Sequence, residues 1–117
     1  MMIFKGHCFQ QGKISLHMFT DIIEKAKSHG AELIILFGSR AKGKERETSD
    51  IDICIVAETD KKRRLASILQ AEIESEYPID ILIYTPKEWK ECVADKTSFA
   101  SKIYTEGRIL YGQPKIS

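Results

Sequence analysis

Cysteine is scarce in this chain: three in 117 residues, at positions 8, 54 and 92, with no C-x-x-C pair and no histidine spaced to share a zinc ion. A disulfide scaffold and a zinc module are thereby excluded, and the scattered thiols fit a reducing, cytosolic compartment. Long apolar runs are missing too. Nothing approaches the roughly 20 residues of a membrane span, and residues 1–11 carry no long apolar stretch behind a basic start. Neither membrane insertion nor secretion is expected. Charge of one sign is absent, since 18 basic and 17 acidic residues leave a formal +1, so no global field draws the chain to nucleic acid. His7, His17 and His29 form no group that suggests a metal or a catalytic pair. No repeat, low-complexity stretch or linker divides the sequence, and 117 residues is the size of one domain. One domain over residues 1–117 is the expectation.

What is present is a clear periodicity. Over residues 15–29, Leu16, Phe19, Ile22, Ile23 and Ala26 recur at three- and four-residue steps before Gly30, which predicts an amphipathic helix. Residues 33–37 and 51–57 are apolar runs of strand length, the second rich in β-branched residues. Residues 62–76 place Leu65, Ile68, Leu69 and Ile73 on one stripe, a second helix, with Pro78 barring continuation. Residues 79–84 predict a third strand. Pro86-Lys87-Glu88-Trp89 resembles a helix start with proline in its first turn, residues 98–106 a last short helix ended by Gly107, and residues 108–111 a short apolar tail. The fold class expected is α/β (α+β): a small mixed β-sheet with helices packed on it.

Between the first two strands lies "FGSRAKGKER". The spacing of Gly38, Gly43 and Lys44 imitates a P-loop, but Glu45 stands where that motif needs a Ser or Thr hydroxyl for Mg²⁺. Other residues carry the chemistry. Asp50 and Asp52 sit two apart at the start of a strand, on one face and about 6–7 Å from each other, while Ile51, Ile53 and Ile55 take the opposite face. Aspartate is a poor strand former and like charges in a half-buried surface repel, so the pair implies a cation between them. Asp80 repeats the anomaly between Ile79 and Ile81 and joins the pair if the third strand neighbours the second. Three hard oxygen donors without His or Cys select Mg²⁺ or Mn²⁺, whose open positions suit phosphate oxygens. The chemistry indicated is phosphoryl or nucleotidyl transfer. Gly38 lets the backbone approach a phosphate, and Ser39 offers a hydroxyl and a backbone N–H. Arg40, Lys42 and Lys44 are by default solvated loop charges able to neutralise a triphosphate.

Gly38-Ser39, Gly43, Ser49-Asp50-Ile51-Asp52 and Asp80, in this order of elements, resemble the DNA polymerase beta-type nucleotidyltransferase superfamily. Within it, the brevity, the "GSRAKG" loop and the ending "FASKIYTEGRILYG" are similar to the minimal nucleotidyltransferases, with a core motif region of about residues 33–84. The resemblance implies that Asp50 and Asp52 coordinate Mg²⁺, that Gly38 and Ser39 hold the phosphates of ATP, with Arg40 and Ser49 in the same nucleotide-binding set, and that Asp80 assists the attacking hydroxyl as metal ligand, general base or both. It also implies a cytoplasmic antitoxin. The partner is a small helical protein of the higher eukaryotes and prokaryotes nucleotide-binding (HEPN) class, which such enzymes adenylylate, commonly on tyrosine. Larger members carry a second, substrate-binding domain, so here a partner or self-association is expected to complete the acceptor site.

Two other functions compete with this one: a non-catalytic module that binds its partner or a nucleotide, and an antibiotic nucleotidyltransferase. Three mutually repelling carboxylates argue against the first, and the lack of a second domain against the other. Trp89, Phe99 and Tyr104 are read as core or interface rather than as a stacking platform, and the "DKKRR" run, residues 60–64, as the solvated start of a helix. The N-terminal segment with Phe4, Cys8 and Phe9 matches no pattern; an extra strand or a dimer contact is the expectation.

Overall fold

The computed structural model describes residues 16–38, 51–73 and 78–112. Its elements run α1 (Leu16–Ser28), β1 (Ala31–Phe37), β2 (Ile51–Ala57), α2 (Lys62–Glu72), β3 (Ile79–Tyr84), α3 (Pro86–Ala94), α4 (Phe99–Glu106) and β4 (Arg108–Tyr111). The four strands form one mixed sheet in the order β3-β2-β1-β4. β1 is antiparallel to both β2 and β4, whereas β2 and β3 are parallel and need the crossover that α2 supplies.

Strand alternation builds two cores, one on each face of the sheet. Ile34 and Leu36 of β1 with Ile51, Ile53 and Ile55 of β2 meet Ile22 and Ala26 of α1 and Leu65 and Leu69 of α2. On the opposite face Leu33, Ile35, Cys54 and Val56 meet Trp89 and Val93 of α3 and Ala100 and Ile103 of α4. Trp89 is buried there beside Tyr84, ring centroids 5.3 Å apart, and its Nε1 finds no acceptor among the described residues. Trp89 and the half-buried Tyr104 thus belong to the core, one of the two places expected for them.

Local chemistry sets the helix ends. Gly30 ends α1 at φ +90, with its N–H donating to the Lys27 carbonyl at 3.0 Å. Thr85 and Glu88 cap α3 reciprocally: the Glu88 N–H donates to Thr85 Oγ1 at 3.2 Å and the Thr85 N–H to Glu88 Oε1 at 3.0 Å, with Pro86 at the first helical position. Ser98 caps α4 by accepting from the Ser101 N–H at 3.0 Å.

Two expectations are corrected. The helix expected over residues 62–76 ends at Glu72, and Ile73 is already extended at φ −83, ψ 122. Residues 108–111 are not a tail but strand β4, which pairs with β1 through Ile34↔Tyr111, Ile35↔Ile109 and Leu36↔Arg108. Four residues are too few to show alternation, and the pairing that makes them a strand is with residues far away in sequence. Residues 1–14 lie outside the described residues. Among the described residues no helix is long and apolar enough to cross a membrane.

Candidate active site

β1 runs outward to Phe37 and Gly38, and β2 starts back from the same end of the sheet. The register there is Phe37↔Asp52 across the antiparallel pair and Asp52↔Asp80 across the parallel pair. The edge therefore reads Phe37, Asp52, Asp80 in adjacent strands about 4.8 Å apart. All three lie on the face that α3 and α4 cover, because Phe37, Cys54 and Leu82, each an even number of residues along its strand, pack in that core. Asp52 is half-buried and Asp80 exposed. Sequence alternation placed Asp52 on this face, and the parallel pairing of β2 with β3 brings Asp80 beside it.

Gly38 is at φ +81, a conformation open to glycine and strained for other residues. A Cβ at this position would overlap the Asp52 carboxylate, Oδ2 first. The glycine is required twice over: for the left-handed turn and for the space the carboxylate fills. On the β1 side of Asp52 a cavity of about 330 Å³ opens, lined by Phe37, Gly38, Asp52, Phe99, Lys102, Ile103 and Glu106. Phe37 and Phe99 form its aromatic corner, with ring centroids 5.6 Å apart and planes at 83°. A larger cavity, about 620 Å³, lies at the far end of the sheet, where the only ionisable side chains among the described residues, besides Tyr111, are Glu32 and Lys90. Chemistry rather than volume makes the smaller one the candidate site.

The structure thus brings together Gly38, Asp52 and Asp80. Ser39, Arg40, Ser49 and Asp50, with Lys42, Gly43 and Lys44, lie outside the described residues. Sequence reasoning did not put Phe99, Lys102 and Glu106 at the site. Their signal is faint but real: with Ile103 they fall at i, i+3, i+4 and i+7 of α4, one face combining an aromatic, a cation and an anion.

Among the described residues no group of three or more His, Cys, Asp or Glu could hold a metal ion. The donors there are the Asp52–Asp80 pair, all carboxylate oxygen. That set suits Mg²⁺, which takes one or two protein carboxylates and fills the rest of its octahedron with phosphate oxygens and water, and it is a poor zinc site.

Comparison with known proteins gives the family and the fold. The family model described as polymerase beta, nucleotidyltransferase matches residues 20–116. Curated proteins give no significant sequence match. Among solved structures, a Sulfolobus solfataricus protein described as a nucleotidyltransferase superposes with a TM-score of 0.54 at 19% identity, covering 97% of this chain and 96% of its own. A toxin–antitoxin structure with AMP-PNP gives 0.51 at 23% identity, over 81% of this chain and 73% of its own. A mutant of the toxin–antitoxin pair MntA-HpeT gives 0.50 at 21%, over the same shares of 81% and 73%. At these identities the likeness is one of fold, and it is the match over residues 20–116 that assigns the family. The chain belongs to the polymerase beta nucleotidyltransferase family.

Proposed function

We propose that this protein transfers AMP from Mg²⁺-bound ATP to a hydroxyl on a protein acceptor, a small helical partner of the HEPN class, and thereby acts as its antitoxin. The observation that carries the reading is the in-register pair Asp52 and Asp80, with the Asp52 carboxylate packed under the left-handed turn at Gly38. Two carboxylates in register on one face of neighbouring strands offer a divalent cation a pair of hard oxygen donors, which supports this reading. The fold likeness to a toxin–antitoxin structure holding AMP-PNP supports both the nucleotide and the kind of partner.

In this reading Asp52 and Asp80, with Asp50, hold Mg²⁺, which supplies charge neutralisation to the triphosphate when bound. Gly38 brings its backbone close to the phosphates, with Ser39, Arg40 and Ser49 completing their cradle. The acceptor oxygen attacks the α-phosphorus in line, its proton passes to the exposed Asp80 carboxylate, and the bond to the β-phosphate oxygen breaks as pyrophosphate leaves. Positioning and electrostatics do the work without a covalent enzyme intermediate.

The test is intact-mass analysis after incubation with ATP and Mg²⁺, with and without the helical protein encoded beside it. AMP-sized additions on the partner, absent with Asp52→Ala plus Asp80→Ala, are expected. An unmodified partner that the double variant still neutralises would instead identify a binding module. Resistance to an antibiotic conferred without the partner gene would identify a small-molecule acceptor.

A further inference from the structure

We propose that the α4 wall of the cavity is a nucleobase platform: Phe99 stacks on the base of the bound nucleotide and makes the site prefer purines. The inference rests on the AMP-transfer reading and adds to it the part of the substrate that the carboxylates do not touch.

Phe99 is one of the two exposed large hydrophobic residues among those described, 53% open at the first position of α4, whereas Ala100 and Ile103 of the same helix are buried. Its edge-on contact with Phe37 leaves more than half of it uncovered. Exposed aromatics are common, but this one borders the cavity that Asp52 also lines. The cavity has an apolar floor of Phe37, Phe99 and Ile103, and polar groups in Lys102 and Glu106. That combination suits a flat aromatic ring with polar edges and a nearby anionic chain. Its volume, about 330 Å³, is at the small end of ligand sites and fits a nucleoside better than a segment of a protein acceptor. Position gives the same answer. Asp80, which faces the acceptor hydroxyl in the proposed reaction, lies on β3, and the cavity opens on the β1 side of Asp52, away from it. The nucleotide then lies over β1 and α4 with its phosphates at Gly38 and Asp52. Lys102, exposed on the same wall, brings a positive charge to the cavity and Glu106 a negative one. Stacking on a phenyl ring scales with ring overlap and offers no hydrogen-bond code, so it favours the larger purines without separating adenine from guanine.

The experiment is titration calorimetry of the full chain with ATP, GTP, CTP and inorganic tripolyphosphate, each with Mg²⁺, for the wild type, Phe99→Ala, Phe99→Leu and Phe99→Trp. The wild type is expected to bind ATP and GTP more tightly than CTP. Phe99→Ala and Phe99→Leu should lose about tenfold in ATP affinity, the scale of one base–aromatic contact, with tripolyphosphate unchanged. Phe99→Trp should keep ATP affinity and gain an indole signal quenched by ATP, against the constant background of the buried Trp89. Circular dichroism checks that each variant is folded. ATP affinity unchanged in Phe99→Ala, or CTP bound as tightly as ATP, overturns the platform while the transfer reaction stands. A wild type that binds no Mg²⁺-ATP overturns both.

Discussion

At the scale of single residues, Gly38 and Gly30 separate two roles that glycine can have. Both hold positive φ, +81 and +90, but an added Cβ meets the Asp52 carboxylate at Gly38 and nothing within 4 Å at Gly30. Alanine at Gly30 should therefore cost only backbone strain, about 1 kcal/mol, with nucleotide affinity intact. Alanine at Gly38 adds a steric conflict with the carboxylate, and we expect a loss of about 2–3 kcal/mol in stability and of at least about tenfold in ATP affinity. Denaturant unfolding and calorimetry on the two variants check the contrast, and equal affinities would remove Gly38 from the site. Asp80 presents the opposite trade. Asp80→Asn removes one of two like charges in register, so it should stabilise the metal-free protein by a few tenths to about 1 kcal/mol while abolishing transfer. A melt in EDTA beside the mass assay reads both signs.

The site residues were legible to different degrees for physical reasons. Asp52 and Asp80 stood out because carboxylates offend an apolar strand pattern, and Gly38 because it closes an apolar run. Phe99 did not, because the same residue in the same helix is core or platform depending on where α4 comes to lie on β1. That is decided by packing between residues some 60 positions apart, which no local pattern encodes.

At the scale of elements, the start of α3 was legible because proline at the first helical position is local chemistry, to which the structure adds the Thr85–Glu88 cap there and the Ser98 cap on α4. The end of α2 at Glu72 was not, nor was the existence of β4, which depends on a pairing with β1 far away in sequence. Thr85→Ala removes the acceptor for the Glu88 N–H and should cost about 1 kcal/mol, read as a lower urea midpoint with an unchanged slope. Glu88 gives this cap a pH dependence. The Lys62 ammonium, 2.9 Å away, and then the Thr85 N–H hold its carboxyl below the usual carboxylate range. A carboxyl depressed in the folded state contributes stability above its unfolded pKa and loses it as pH falls through the folded value. The α3 cap, and its tie to α2, should therefore weaken in acid. Glu88→Gln should flatten the acid limb of the stability profile, and a limb of unchanged slope would show that the cap does not couple to folding.

At the scale of the whole molecule, β2 is the shared wall of both cores: Ile51, Ile53 and Ile55 face α1 and α2, while Cys54 and Val56 face α3 and α4. The same strand opens on Asp52, so the site is anchored in the most buried segment of the fold, where a carboxylate can be held in place against repulsion. Cys54 reports on this arrangement. It is 0% exposed, and burial pushes its thiol up from the usual 9.0 to about 12. A thiol raised in the folded state favours folding fully below the unfolded pKa, and that contribution is lost as pH rises toward the folded value. As pH rises above 9 the unfolded chain ionises this thiol ahead of the folded chain, which lowers stability. Urea unfolding at pH 8, 9 and 10 should then show a loss of stability that Cys54→Ala lacks, compared as slopes because the alanine variant also leaves a small cavity. Thiol labelling at pH 8 supplies the matching kinetics. Cys92, partly exposed on α3, should react in the native protein, and Cys54 only through openings that separate the sheet from α3 and α4. Cys54 labelling as fast as Cys92 would mean that this core opens locally and that β2 does not bind the two halves of the molecule into one cooperative unit.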